Sequence, residues 1–441
     1  MRRTVGVRSI LVFSTLLSAA SAAPIPTPVL DTSFGKPAVL FDRPGGLLDL
    51  GKSLLVQPDG KMVVVAESNG SAAPTLGAAV RRVLPSGSAD TAYGTKVVPL
   101  HHELVSDAVL DAQSNVYIVG LEGSDARVVR LTPAGAMDAG FSADGAVDVD
   151  LGQGLYDVPT GLALDEAGRL LMSGQTFGGS VLVGWGSARL LDDGTADTSY
   201  MGTGSFVYNQ GAGRWTPTNP IPRGSSQFFM AASHEDGDGQ AGSLAAITYY
   251  APGYGSSGAS VSNSPTCSAL APTGTLRILR LVSLPNRMIV GVGYYGTTTS
   301  GSHAYELLVV WPSNSTIPST IYCDSTDGRY LTDVVMLDPN NLVAVGRVGD
   351  ESVYVRTIYV PAANNASLTS TSALVTWTQV GGTVAQLTDN DARIARTGGK
   401  VVVMATRIYD FDTDDTDPVL ARFNTDVIFY NGAERGDGRS F

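Results

Sequence analysis

The sequence predicts an all-β chain folded as one seven-bladed β-propeller and closed by its own N-terminal segment. Three features lead there. A turn followed by an apolar strand recurs about seven times, at steps of about 53 to 60 residues. Gly is abundant (51 residues) and no long helical period appears, the profile of many short strands joined by tight turns. A motif that ends the early repeats also stands at the start of the chain, where no repeat precedes it.

The recurring strands are Met62–Ala66, Val116–Gly120, Leu170–Gly174, Phe228–Ala232, Met288–Val292, Leu342–Gly346 and Val401–Ala405. Turns centred on Gly60, Asn115, Gly168, Ser226, Asn286, Asn340 and Gly399 precede them, rich in residues that tolerate the positive φ of a tight hairpin. An earlier apolar strand flanks most turns, as at Ser53–Gln57 and Asp333–Leu337. A third follows a loop of variable length, as at Ala78–Arg82, Ala126–Arg130, Leu244–Thr248, Tyr354–Ile358 and Val419–Phe423. A weaker fourth, such as Val97–Leu100, completes a unit of propeller-blade size.

Between units lies a finer signature. Arg82, Arg130 and Arg189 are followed by Gly87, Gly135 and Gly194, then by Asp90, Asp138 and Asp197, then by Tyr93, Phe141 and Tyr200. Each Arg and Asp, eight residues apart, reads as a structural pair pinning one blade to the next. With the Gln57-Pro58-Asp59-Gly60-Lys61 turn and the Leu30-Asp31-Thr32-Ser33-Phe34-Gly35 ending, the chain resembles the delta-60 repeat family. That resemblance implies repeats of this kind and no established activity. The match is strong in the first three copies, and the seventh keeps only Ala421-Arg422-Phe423-Asn424. Residues 30–35 can therefore supply the ending that the last copy lacks, which closes a ring and leaves no sheet edge exposed.

Residues 1–22 read as an export signal: Arg2, Arg3 and Arg8, an apolar run from Ile10 to Leu17, and small residues at Ala20-Ser21-Ala22. Residues 23–430 are the expected propeller, and 431–441 a flexible tail. The mature chain is expected to be secreted, without a membrane span, and monomeric. Its formal charge of -12 becomes about -15 without the signal arginines, which excludes nucleic acid as a natural partner.

No catalytic residue stands out. His101 and His102 are adjacent, and in a strand they point to opposite faces and cannot share a metal. No Gly-x-Ser-x-Gly elbow or phosphate loop appears. The best chemical candidate is the acidic run Asp410–Asp417, where Asp410, Asp412, Asp414 and Asp417 offer hard oxygen ligands for calcium. It lacks the Gly and distal Glu of a complete calcium loop, and a solvated acidic hairpin is the plainer reading. Glu235–Gly239 is a shorter version. Tyr249, Tyr250, Tyr294 and Tyr295, read as exposed beside flexible polar loops, suit recognition of a sugar or peptide, with strand packing as the alternative. Cys267 and Cys323, the only cysteines, lie one repeat step apart, and an even pair in an exported chain favours a disulfide. Residues 202–272, rich in Gly, Ser, Pro and Asn, read as an insertion or a loop over one face.

The functional expectation is a secreted binding or structural module for an extracellular glycan or protein. The alternatives are a glycan-acting enzyme with its site at the channel mouth, and a calcium-dependent adhesion protein.

Overall fold

The computed structural model describes residues 28–424 except 36–47, 70–76, 99, 101–103, 153–155, 179–180, 209–214, 225–226, 235–243, 251–256, 262–274, 298–302, 314, 325–327, 349–351, 362–368, 377–391 and 411–414. The expected signal, the tail, Glu235–Gly239 and Cys267 lie outside the described residues.

Seven antiparallel blades form a ring, with blades VII and I joined into one sheet by a parallel bridge between Leu48 and Thr416. Blade I runs outward through Leu48–Val56, Met62–Asn69, Ala78–Val83 and Thr95–Val98. Blade II is Val105–Leu110, Val116–Glu122, Asp125–Leu131 and Ala146–Val149, and blade III is Tyr156–Leu164, Leu170–Gly178, Val181–Leu190 and Ser205–Tyr208. Blade IV has a broken innermost strand, Trp215–Pro217 and Ile221–Pro222, followed by Gln227–His234, Leu244–Tyr250 and Ser257–Val261. Blade V is Thr275–Ser283, Ile289–Thr297, His303–Trp311 and Thr320–Cys323. Blade VI is Arg329–Met336, Asn341–Val348, Ser352–Tyr359 and Thr369–Thr376. Blade VII is Arg393–Thr397, Lys400–Asp410 and Asp415–Asn424, and its outer strand is the N-terminal Val29–Leu30.

The second strand of each blade reads as an unbroken apolar run because both of its faces are covered. Val63 and Val65 face blade II, whereas Met62, Val64 and Ala66 face blade VII. Val343 and Val345 likewise face blade VII, with Leu342 and Ala344 against blade V. Every neighbouring pair of blades shares a cluster of this kind, including VII and I. Burying one such Val or Leu contributes roughly 1.5 to 3 kcal/mol, and none of these faces could be covered by its own blade.

The closure matches the expectation. Val29 and Leu30 pair with Asn424 and Phe423. Asp31 takes the place of the missing seventh Asp, 2.8 Å from Arg422 Nε. The same contact is 2.8 Å for Arg82–Asp90, 2.8 Å for Arg130–Asp138 and 2.7 Å for Arg189–Asp197. Each guanidinium also lies over the motif's aromatic ring, at 4.4 Å for Tyr93, 5.0 Å for Phe141, 4.8 Å for Tyr200 and 4.6 Å for Phe34. Arg82, Arg130 and Arg422 then donate to a carbonyl of the next blade, at Pro133, Asp192 and Pro85 respectively. Gly87 is held at φ +92 against Gly35, where an added Cβ would stand 2.2 Å from a backbone oxygen.

Some boundaries differ from the sequence reading. Positive φ falls on Ser114, Arg287 and Gly398, each next to an expected turn centre. The stretch 202–272 is not a simple insertion, since it contains the broken inner strand and the outer strand of blade IV.

Candidate functional site: the central channel

The seven innermost strands line a channel, and local irregularities decide what faces it. Five of these strands carry a β-bulge, at Lys52, Ser106, Thr160, Leu279 and Thr332. A bulge bends its strand and re-aims the local side chains. Blade IV reaches a similar result by breaking at Thr218–Pro220. Gly161 is needed there, because a Cβ would lie 2.5 Å from the backbone of Asn219.

Just past the bulges the channel is crossed by ionic groups. Arg280 of blade V donates through Nη1 to Asp107 Oδ2 of blade II at 2.8 Å, and its Nε lies 3.6 Å from Asp333 Oδ1 of blade VI. Ser53 donates to Asp107 at 3.3 Å. The carboxylates also staple neighbouring blades: Asp107 accepts from the Leu162 amide at 3.1 Å, and Asp333 from the Ile394 amide at 3.0 Å. Asn219 does the same between blades IV and V, accepting from the Leu281 amide at 2.9 Å. Burial opposes the charge of Arg280, but the two carboxylates outweigh it and hold the guanidinium firmly protonated. Burial pushes Asp333 upward, with Arg280 and Arg393 pulling the other way.

This septum separates two chambers. The upper one, at the end where the innermost strands begin, has a volume of about 260 Å³. Lys52, Arg277, Arg280 and Arg393 line it with Ser106, Thr160, Gln175, Thr216 and Thr332, and among the described residues no Asp or Glu lines it. The lower chamber, about 300 Å³, is lined by Asp107 and Asp333 as well as Arg280, Arg393 and Arg396.

The cations above are positioned from behind. Lys52 Nζ stands 3.2 Å from Glu67, which also accepts from the Val105 amide. Arg393 donates to the Lys52 carbonyl at 2.7 Å, and Arg277 donates to the Tyr294 hydroxyl at 3.3 Å.

The residues singled out from sequence fall elsewhere. Tyr294 and Tyr295 are not exposed: they are 3% and 0% accessible, and Tyr295 belongs to the core between blades IV and V. They sit in a strand whose two faces are both covered, so the expected surface pair does not form. Tyr249 and Tyr250 end the third strand of blade IV, opposite Phe228 and Gln227. Strand direction places them toward the lower end, away from Tyr294. Asp410 closes the second strand of blade VII opposite Asp415, and Asp417 pairs with Arg407. The acidic run is thus partly strand, while Asp412 and Asp414 lie outside the described residues. Cys323 is buried at the end of the outer strand of blade V, against the core shared with blade IV.

Lys52, Arg277, Arg280, Arg393, Asp107 and Asp333 escaped the sequence reading. A signal existed: single charges interrupt apolar innermost strands, as in Thr275-Leu276-Arg277-Ile278-Leu279-Arg280-Leu281 and Thr332-Asp333-Val334-Val335. Without the bulges, that pattern does not say which charges share a channel.

Residues 57–93 match a family described as a domain of unknown function (DUF5122) beta-propeller. No curated protein matches the chain. Similar solved structures include virginiamycin B lyase from Staphylococcus aureus, with 10% identity, 88% of this chain and 97% of that one covered, and a TM-score of 0.45. An alpha-L-arabinanase from Penicillium chrysogenum gives 11% identity, 91% and 99% coverage, and a TM-score of 0.42. Strand order, ring closure and the matched repeat together make this chain a seven-bladed β-propeller repeat protein.

Proposed function

We propose that the protein is an exported binding module whose ligand enters the upper chamber of the channel. The observation that carries this reading is the septum, which closes the channel below a recess lined with polar side chains. A ligand group entering from above meets a floor of fixed hydrogen-bond donors. Such preorganised polar groups in a concave site are the usual ingredients of small-group recognition. The ligand is a terminal group of an extracellular glycan or protein.

Binding is favoured over glycan cleavage. An acid–base pair needs carboxyls free to exchange protons on either side of a scissile bond. Asp107 and Asp333 are instead engaged by Arg280 and by backbone amides, including those of Ala108 and Val334. Export carries two companion proposals: a leader removed near Ala22, and a Cys267–Cys323 disulfide.

A glycan array probed with the mature chain and with Thr160→Trp tests the site. Thr160 lines the chamber, and an indole there would fill it. Binding is expected for the parent and absent for the variant at unchanged melting temperature. Binding that survives the indole would place the ligand elsewhere.

A further inference from the structure

We propose that the upper chamber is an anion site, taking one carboxylate or sulfate group of an acidic ligand; this rests on the chamber being the binding site. Four cationic side chains, Lys52, Arg277, Arg280 and Arg393, line a recess of about 260 Å³, and among the described residues no carboxylate lines it with them. The carboxylates that pair with Lys52 and Arg280 do not line it. Glu67 sits behind Lys52, while Asp107 and Asp333 line the chamber on the other side of the septum. Among the described residues the septum is therefore polarised: Asp107 and Asp333 line only the lower chamber, whereas Arg280 and Arg393 reach both and Lys52 and Arg277 line the upper one.

This arrangement runs against the rest of the molecule. The chain carries a formal charge of -12, with 29 Lys and Arg against 41 Asp and Glu. A solvated surface would be expected to repel anions, yet several of its few cations come from four different positions on three blades, I, V and VII, to one recess. The arginines bring planar forks suited to paired bonds with an oxyanion, and Lys52 brings a point charge. Ser106, Thr160 and Thr332 add hydroxyls that can donate to the remaining lone pairs. Low-dielectric walls strengthen each of these contacts relative to open water.

The cations are also held, which lowers the entropy lost on binding. Arg277 is braced by Tyr294, Arg393 by the Lys52 carbonyl, and Arg280 by Asp107. The volume admits one small acidic group and excludes a folded chain or a duplex, so the ligand must present that group at an end or on a protruding residue.

Calorimetry at constant ionic strength tests this with three probes: sodium sulfate, glucuronate and glucose. Sulfate and glucuronate are expected to bind, glucose at least tenfold more weakly than glucuronate, and both anions at least tenfold more weakly to Arg277→Gln. Arg277→Lys is expected to recover part of that loss, which a merely structural role would not produce. Sulfate binding as well as glucuronate points to the oxyanion alone, and preference for glucuronate to an acidic sugar. Equal binding of glucose and glucuronate, or indifference to Arg277→Gln, overturns the anion site. If Thr160→Trp still abolishes that binding, the chamber remains the site and only the anion assignment falls. No heat with either anion at tens of millimolar also ends the proposal.

Discussion

Asp157 sits in the innermost strand of blade III with its side chain sealed from water. It accepts from the Leu151 amide at 2.7 Å, but burial dominates and pushes its carboxyl up to about 6. The folded value exceeds the ordinary 3.8, so the native state holds a proton there that the unfolded chain has released. The penalty is absent below about pH 4, grows between about pH 4 and 6, and is complete above that. Asp157→Asn should therefore raise the melting temperature at pH 8 and leave it nearly unchanged at pH 4. Thermal melts across that range check it, and a difference independent of pH would show that ionisation is not the cause. The residue scale is also where sequence reading fell short. Tyr294 and Tyr295 look like an exposed aromatic pair beside a polar loop, but alternation sends their rings to opposite covered faces. Arg277 and Arg280 look like ordinary strand charges until a bulge at Leu279 brings both to one chamber.

Elements were far more legible. Unbroken apolar runs located the second strand of every blade, because a strand covered on both faces has no polar side to show. The Arg–Asp–aromatic ending was readable because its chemistry is local and repeated. Hairpin tips were harder, since either of two adjacent residues can take the positive φ. The innermost strand of blade IV was missed because Pro217, Pro220 and Pro222 break its pattern, and proline removes ladder donors. The hairpin joining the second and third strands of blade VII belongs to this scale. Its strands reach Asp410 and Asp415, which stand opposite one another in register. Calcium held there by Asp410, Asp412, Asp414 and Asp417 would bind the folded state alone. Millimolar calcium should then raise the melting temperature by a few degrees over a chelator control, and the quadruple Asn variant should not respond. Identical melts in both conditions would leave only a solvated acidic hairpin.

At the scale of the molecule, the ring depends on a short closing segment. Asp31 is held well below the usual carboxylate range by Lys400 first, with Ser33 and Arg422 adding to it against the opposing effect of burial. Lys400 and Arg422 both approach it at 2.8 Å. Asp31→Ala leaves two cations with no carboxylate between blades VII and I, an error that costs on the order of 3 kcal/mol where such a pair is buried. Some of that is returned because Lys400 is about a third exposed, at 32%. The melting temperature should fall by several degrees, and by less for Asp59→Ala, whose partner Lys61 is equally exposed but whose turn closes no ring. Equal losses in the two variants would remove the special role of closure. Ring closure was legible because a displaced motif is a sequence fact. The septum was not, because Arg280, Asp107 and Asp333 come from three separate repeats.

That clasp sets an order of events during synthesis. Asp31 and Arg422 are 391 residues apart, so the closing segment, translated before blade I, finds its partner only after blade VII has emerged. Until then blades I and VII each present a bare flank, and the nascent chain cannot lock. A protein assembled this way stays pliable during elongation and becomes rigid in one late step.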